Sequence, residues 1–404
     1  MSMLNDRVQL FPRSLPCLSS ALAAPYSARA GFGASWLWYV TDREVAKTVR
    51  DYTRDDDTIP SQLALFGNSN DSAIDCPHSR AGRLPSPRPK IISASKRTDI
   101  PAFHLLWFLK CCQAGWVDVP NPMFRFASDS LKRLTHVSLK PEHVLAIVWW
   151  SKNYAIYERF YQRFSDYRAQ YFHFTINPRR EEFAWIEPDV PPLEEVIRQV
   201  RFLASLPGGP DLVSWRYDPL CFWTEDGDDR STWDPVFFEH ICRELSHIGV
   251  TRCVTSIADH YAKFQQRMKR FYPEKHLRKP NPSEIDEITQ AMAAIAQAFN
   301  ITLQACTEAS LAEHGEFERA RCIDGARLSP QAPKGAATDT KMKGREECGC
   351  SLHTDIGDYV AHECGYSCIY CYANPNHRRF LSDRPSSRGN PATTPLPRPN
   401  RATR

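Results

Sequence analysis

VLAIVWWSKN, residues 144–153, runs through seven apolar residues and then stops at Ser151, Lys152 and Asn153. Short runs rich in β-branched and aromatic residues read as strands. Five similar runs stand along the chain: KIISAS (90–95), YFHFTI (171–176), LVSWRY (212–217), RCVTSI (252–257) and ITLQAC (301–306). Amphipathic stretches such as LEEVIRQVRFLASL, DPVFFEHICRELSHIG and SEIDEITQAMAAIAQAFN lie between them. Pro192, and Asp234 with Pro235, start helices; Gly115, Gly208 and Gly249 stop them; Ser283 with Asp286 has the form of a cap. Strands alternating with helices predict an α/β fold. The expected form is a complete or partial (βα) TIM-like barrel of parallel strands, followed by a C-terminal cysteine-rich metal-binding segment.

Each run ends in polar residues: Lys96, Arg97 and Asp99 after the first, Lys152 and Asn153 after VWW, Asn177 after FTI, Arg216 and Asp218 within WRYDP, and Glu308 after LQAC. In parallel α/β folds the active site lies at the carboxyl ends of the strands, so these groups are expected to meet at one mouth as catalytic or binding residues. Asp99 before Pro101 and Asp218 before Pro219 also suit turn or cap roles. Lys152 and Arg216 do not, and read as anion-binding or ion-pairing groups.

Composition divides the rest of the chain. Residues 1–89 lack sustained periodicity and end in the linker SRAGRLPSPRPK, which predicts a largely disordered extension. Residues 90–330 form the expected barrel, 331–376 a cysteine-rich iron-sulfur segment, and 377–404 a disordered basic tail. Of the net charge of +4, the tail carries +6 and the first 89 residues +1, leaving −3 on the core. That core has no bulk electrostatic footprint for nucleic acid. No apolar run approaches the roughly 20 residues that cross a bilayer, and the first residues fit a secretory signal poorly, so a cytoplasmic protein with no membrane partner is expected. Fourteen cysteines then argue for metal ligation or buried thiols over disulfides. Gln62–Phe66, QLALF, resembles the pentapeptide by which bacterial replication and repair proteins dock on a sliding clamp.

Cys364, Cys368 and Cys371 stand in CGYSCIYCYAN. This spacing lets one loop present three thiolates to a 4Fe-4S cluster while one iron keeps no protein ligand. Structural zinc is the competing reading, and it wants four closed ligands. The triad, with an aromatic residue before its last cysteine, resembles the cluster loop of radical S-adenosylmethionine (SAM) enzymes, the spore photoproduct lyase type in particular. The resemblance implies SAM as co-substrate, Tyr370 beside its adenine, and an electron donor such as flavodoxin or ferredoxin. In those enzymes the loop follows the first strand; here it follows the last, which requires a permuted barrel.

SASKRTDIPAF, WWSKN, FTINP, VPPLEE, WRYDP, CTE, RCIDG, CGC, DIGDY and CGYSCIYCYAN occur in that order between residues 93 and 374. In this order they resemble the domain-of-unknown-function 1848 family of bacteria and archaea. That resemblance implies a soluble α/β protein with an iron-sulfur cluster and no assigned substrate.

Cys306, Cys322, Cys348 and Cys350 form a second candidate set, for zinc or another iron-sulfur cluster. Alternating residues of an extended chain point opposite ways, so Gly349 must bend the Cys-Gly-Cys word if both sulfurs share a metal. Alternatively, one or two of these cysteines complete the first cluster and close it, which abolishes SAM binding. His353 and His362 lie near the cysteine loops and read as ordinary turn histidines. The expected function is an iron-sulfur enzyme of radical-SAM type acting on an unknown small-molecule or nucleotide-like substrate. The alternative is a metal-stabilised binding or electron-transfer protein.

Overall fold

The apolar runs become strands because each can bury both faces of its ribbon, as a parallel sheet requires. The computed structural model describes residues 89–121, 133–313, 315–328, 340–342 and 348–374. The Gln62–Phe66 word and the arginine-rich tail lie outside the described residues.

Eight strands form one sheet: β1 Lys90–Ala94, β2 Val144–Ser151, β3 Gln170–Thr175, β4 Val213–Leu220, β5 Arg252–Ile257, β6 Thr302–Ala305, β7 Phe317–Arg319 and β8 Thr354–Asp355. All pairs are parallel, in the order β7-β6-β5-β4-β3-β2-β1-β8. From β1 to β7 the winding never reverses, so the switch point that defines a doubly wound sheet is missing. The edge strands β7 and β8 share no ladder among the described residues.

The main helices are α1 Leu105–Ala114, α2 Ala155–Phe160, α3 Leu193–Ser205, α4 Pro235–Ile248, α5 Ala262–Phe271 and α6 Pro282–Ala298. Asp234 caps α4 by accepting from the Phe237 N–H at 3.0 Å, with Pro235 in the first turn. Gly115 and Gly249 end α1 and α4 at φ of 79° and 93°, which L side chains rarely adopt. The cap of α6 differs from the expected Ser283 and Asp286: Asn281 and Glu284 form a reciprocal capping box around Pro282.

Alternating strand residues feed two separate cores. Ile92, Ile147, Trp149, Phe172, Phe174, Trp215, Tyr217 and Leu303 pack with the apolar stripes of α1, α2, α3, α4 and α6. Ile91, Ala146, Val148 and Val254 face the other way, toward Ala320, Cys322, Ile323, Leu328 and Cys350. Period two therefore sorts helix contacts from cysteine contacts. Strand β8 is pinned by Asp355, which accepts from Ser93 Oγ at 2.8 Å, Ser95 Oγ at 2.6 Å and the N–H groups of Lys96 and Gly357. The cysteine-rich segment thus supplies a strand of the main sheet.

Trp149 is fully buried with its ring centroid 4.9, 5.1 and 5.5 Å from those of Phe164, Tyr157 and Phe108, and its Nε1–H donates to Gln170. Trp149→Ala is expected to cost about 3–5 kcal/mol in equilibrium chemical denaturation, from lost transfer energy and the cavity left behind. A loss below about 1 kcal/mol would contradict the packing described.

Candidate metal centre at the carboxyl ends of the strands

The CGYSCIYCYAN loop is fastened from three sides. From α5, Arg267 donates to the carbonyls of Ile369 at 3.2 Å, Cys371 at 2.5 Å and Asn374. Lys263 reaches the Tyr372 carbonyl at 2.9 Å. From the segment after β3, the Ile186 carbonyl accepts the Ile369 N–H at 3.0 Å, and from beyond β1 the Lys96 carbonyl accepts the Tyr372 hydroxyl at 2.9 Å. Within the loop, Ser367 takes φ 53° and the Asn374 side chain donates to the Cys364 carbonyl. A Cβ on Gly365 would stand 2.8 Å from the Phe103 ring, so only glycine lets the loop close on that ring.

Cys364, Cys368 and Cys371 share one small cluster with Ala102, Phe103, Val190, Tyr366 and Tyr370. Burial, then the Asp99 carboxylate, pushes the Cys364 thiol well up. Burial also raises Cys368, while the Lys152 ammonium pulls it back. Beneath the loop, Glu187 accepts from Lys152 Nζ at 2.8 Å, Asn177 Nδ2 at 2.7 Å and the Tyr370 hydroxyl. Burial alone would raise the Glu187 carboxyl, but Lys152 and the hydrogen bonds outweigh it and the pKa falls below the ordinary value. Arg179 donates through Nη1 to the Pro191 carbonyl, while its buried Nε and Nη2 have no hydrogen-bond partner among the described residues.

Asp99 joins the exits of β1 and β2. It accepts from the Ala102 N–H at 2.9 Å, from Ser151 Oγ at 2.8 Å and from the Lys152 N–H at 2.9 Å. It therefore caps the turn at Ile100–His104 and also ties it to the neighbouring strand. Burial lifts its carboxyl to about 7, against the lowering effect of these donors.

The second cysteine set lies on the sheet face opposite the helices. Cys306 Sγ and Cys322 Sγ are 3.6 Å apart. Cys350 accepts from the Ile323 N–H at 3.4 Å and lies 3.8 Å from Lys96 Nζ, and Arg216 Nη1 donates to Cys322 Sγ at 3.1 Å. Gly349 lets Cys348 and Cys350 pass the β7 exit, where a Cβ would meet the Ala320 carbonyl oxygen at 2.7 Å. Trp150 stacks on His173 with centroids 4.1 Å apart, and Lys96 and Arg216 both lie over the Trp150 ring. His173 is held neutral, at about 4, chiefly by burial.

The polar residues after the strands therefore divide. Lys152 and Asp99 border the C-terminal loop; Lys96, Arg216 and, through Arg216, Asp218 border the second set. Arg97 holds the Gly357 carbonyl at 3.0 Å. Asn153 accepts from the Ala155 N–H and Gln199 Nε2, within the helix layer. Glu308 accepts from the Ile257 N–H and lines a cavity of about 360 Å³ with Thr307 and Arg319. His362 packs on Trp107 with centroids 4.0 Å apart, and His353 holds the Ser351 carbonyl. Among the described residues, no group of three or more His, Cys, Asp or Glu side chains already stands around a metal position. No helix among them is long and apolar enough to cross a membrane.

Sequence reasoning missed Glu187, Arg179 and Arg267. Arg267 left a signal, because it shares the buried stripe of α5 with Phe264 and Met268. Glu187, the lone acid in WIEP, left a weaker one.

The family model described as domain of unknown function (DUF1848) matches residues 91–373. No curated protein matches the chain.

Glu187→Gln should destabilise the protein by about 3–5 kcal/mol, because it leaves the Lys152 ammonium buried without a counter-charge. Chemical denaturation of Glu187→Gln beside the Glu187→Gln/Lys152→Met pair checks this: the double variant should recover part of the loss, and an unrecovered loss counts against the ion pair. Asp99 has a folded pKa raised above its unfolded value of about 3.9, so its contribution is full below pH 4 and is lost as pH rises toward about 7. In metal-free protein, Asp99→Asn should flatten the fall of the unfolding midpoint between those pH values. An unchanged slope would assign it to other groups.

Proposed function

The chain belongs to the DUF1848 family, whose description names no activity, and from that footing we propose that it is an iron-sulfur enzyme of radical-SAM type. Its substrate is a small molecule or nucleotide-like compound. One observation carries the reading: the cysteine loop gathers three thiols in one small cluster, and the two carboxylates beside it, Asp99 and Glu187, are each engaged by three donors of the protein itself. Asp99 is taken up by Ala102, Ser151 and Lys152, and Glu187 by Lys152, Asn177 and Tyr370. The donor set at Cys364, Cys368 and Cys371 is soft, as iron-sulfur ligation needs, and stops one short of a closed site.

When bound, a 4Fe-4S cluster with one such iron supplies the electron that cleaves the SAM sulfonium. The chain's residues do the remaining work. Ala102, Phe103 and Tyr366 wall the loop with apolar surface and keep water from it. The Lys152 ammonium lies beside Cys368 and 5.9 Å from the centre of the Tyr370 ring, offsetting thiolate charge. Tyr370 is steadied through its hydroxyl on Glu187, leaving its ring to an adenine. The free edge of Arg179 suits a carboxylate, since a buried guanidinium nitrogen without an acceptor costs free energy until one arrives. Reduction requires an electron donor of flavodoxin or ferredoxin type.

We read the sheet as a (βα) barrel left open between β7 and β8. The unreversed strand order and the single helix-bearing face support this form. A metal-stabilised protein without SAM chemistry is the alternative, favoured by the sulfur contact between Cys306 and Cys322, which belongs to a closed site.

Anaerobic reconstitution with iron and sulfide separates the two. The enzyme reading expects a cluster signal in electron paramagnetic resonance that changes on adding SAM, and 5′-deoxyadenosine on adding dithionite. Both should vanish in Cys368→Ala. A loaded wild-type protein giving neither response ends the reading.

A further inference from the structure

Cys306, Cys322, Cys348 and Cys350 come from opposite ends of the strand order: the first two follow the paired strands β6 and β7, and the last two precede β8, which shares no ladder with β7 among the described residues. Cys306 directly follows β6, Cys322 follows β7, and Cys348 and Cys350 precede β8. They gather on the inner sheet face beside Ile91, Val148 and Val254, away from every main helix.

We propose that these four cysteines bind one tetrahedral metal ion of the zinc class, which staples the open side of the sheet. The Cys306 to Cys322 sulfur separation of 3.6 Å selects this over other pairings. A disulfide needs sulfurs about 2.05 Å apart. Thiolates at about 2.3 Å from one tetrahedral ion stand about 3.8 Å from each other. Cubane ligands stand farther apart, because each binds its own iron. The sulfurs now run as a chain from Cys306 through Cys322 and Cys350 to Cys348. Cys322 and Cys350 are buried and fixed, while the outer pair, Cys306 and Cys348, is only half-buried. Cys306 already stands at ligand spacing from Cys322, so closing the shell asks for side-chain rotation at the half-buried Cys348.

The surroundings match the charge of such a centre. Four thiolates on a divalent ion leave a double negative charge, and an apolar core rejects it unless cations and N–H donors compensate. Arg216 Nη1 at 3.1 Å from Cys322 Sγ, Lys96 Nζ at 3.8 Å from Cys350 Sγ and the Ile323 N–H at 3.4 Å from Cys350 Sγ supply both. Gly349 is the other requirement, since the Cys-Gly-Cys word passes the Ala320 carbonyl where a Cβ cannot fit. Bound here, one ion joins β6, β7 and β8 across the edge where β7 and β8 share no ladder among the described residues and the segments beside them meet through the Ser351 N–H to Ile323 carbonyl bond.

The test uses the full chain with Cys364, Cys368 and Cys371 all changed to Ala, produced with zinc and analysed for metal and acid-labile sulfide. The expected result is about one zinc per chain, no labile sulfide, and a zinc-edge absorption shell of four sulfurs at about 2.3 Å. Adding Cys322→Ser should lower zinc retention by tenfold or more against a chelator. Zinc-free protein, sulfide in proportion to metal, or zinc unaffected by Cys322→Ser each overturns the proposal. Should the multiple variant fail to fold, the same zinc-edge measurement on Cys368→Ala and on Cys322→Ser decides: the four-sulfur shell should survive the first and be lost in the second, and the reverse overturns the proposal. A wild type that holds this zinc but never cleaves SAM removes the enzyme reading and leaves the staple standing.

Discussion

The Glu187 carboxylate is the tie on which the candidate site depends. Its donors come from the end of β2 (Lys152), the end of β3 (Asn177) and the C-terminal loop (Tyr370), the last of them 183 positions from Glu187 in the chain. A buried charge with three donors is stabilising only when all three are in place, since losing one leaves a desolvated group unpaired. The loop has no regular secondary structure of its own. Its position follows from this carboxylate on one side and from the three carbonyls gripped by Arg267 on the other.

Legibility in the sequence tracks the range of the interaction that creates each feature. Six strands of the main sheet are readable because a continuous apolar run is a local signal. FER and TD, the short β7 and β8, carry no period and exist only because β6 and β1 offer them ladders. The α6 cap shows the same limit at close range: Asn281 with Glu284 and Ser283 with Asp286 both have capping form, and Pro282 in the first turn decides between them. At the site, Cys364, Cys368 and Cys371 are legible because their spacing within one loop is the signal. Glu187 and Arg179 are not, since their meaning comes from partners brought together only by folding. The expectation of one polar mouth failed for a comparable reason. Lys152 and Arg216 share the strand parity of Val148 and Val254, so alternation does not separate them; the partners that folding brings do, Glu187 taking Lys152 while Asp218 and Cys322 take Arg216.

The two cysteine sets differ in the physics of their surroundings, which argues for two kinds of ligation within one sheet. In the C-terminal triad burial pushes the Cys364 and Cys368 thiols up, and the nearby cations Lys152, Arg179 and Arg267 direct their hydrogen bonds to carboxylate or carbonyl oxygens. The second set meets two cations and a backbone N–H aimed at sulfur, an arrangement suited to thiolates that persist.

A continuous polar chain nonetheless connects them. Tyr370 donates to Glu187, Asn177 Nδ2 donates to both Glu187 and the Asp218 carbonyl, Asp218 pairs with Arg216 at 2.8 Å, and Arg216 donates to Cys322. Each member is oriented by the next, and Arg216 divides its guanidinium between a carboxylate and a sulfur. Charge placed on the Cys322 side therefore competes with Asp218 for the same cation, and Asp218 is held by Asn177, the residue that also steadies Glu187. The electrostatics of the second cysteine set thus reach the floor of the first through four side chains. This chain of donors is the polar connection through which a metal bound at one cysteine set would act on the other.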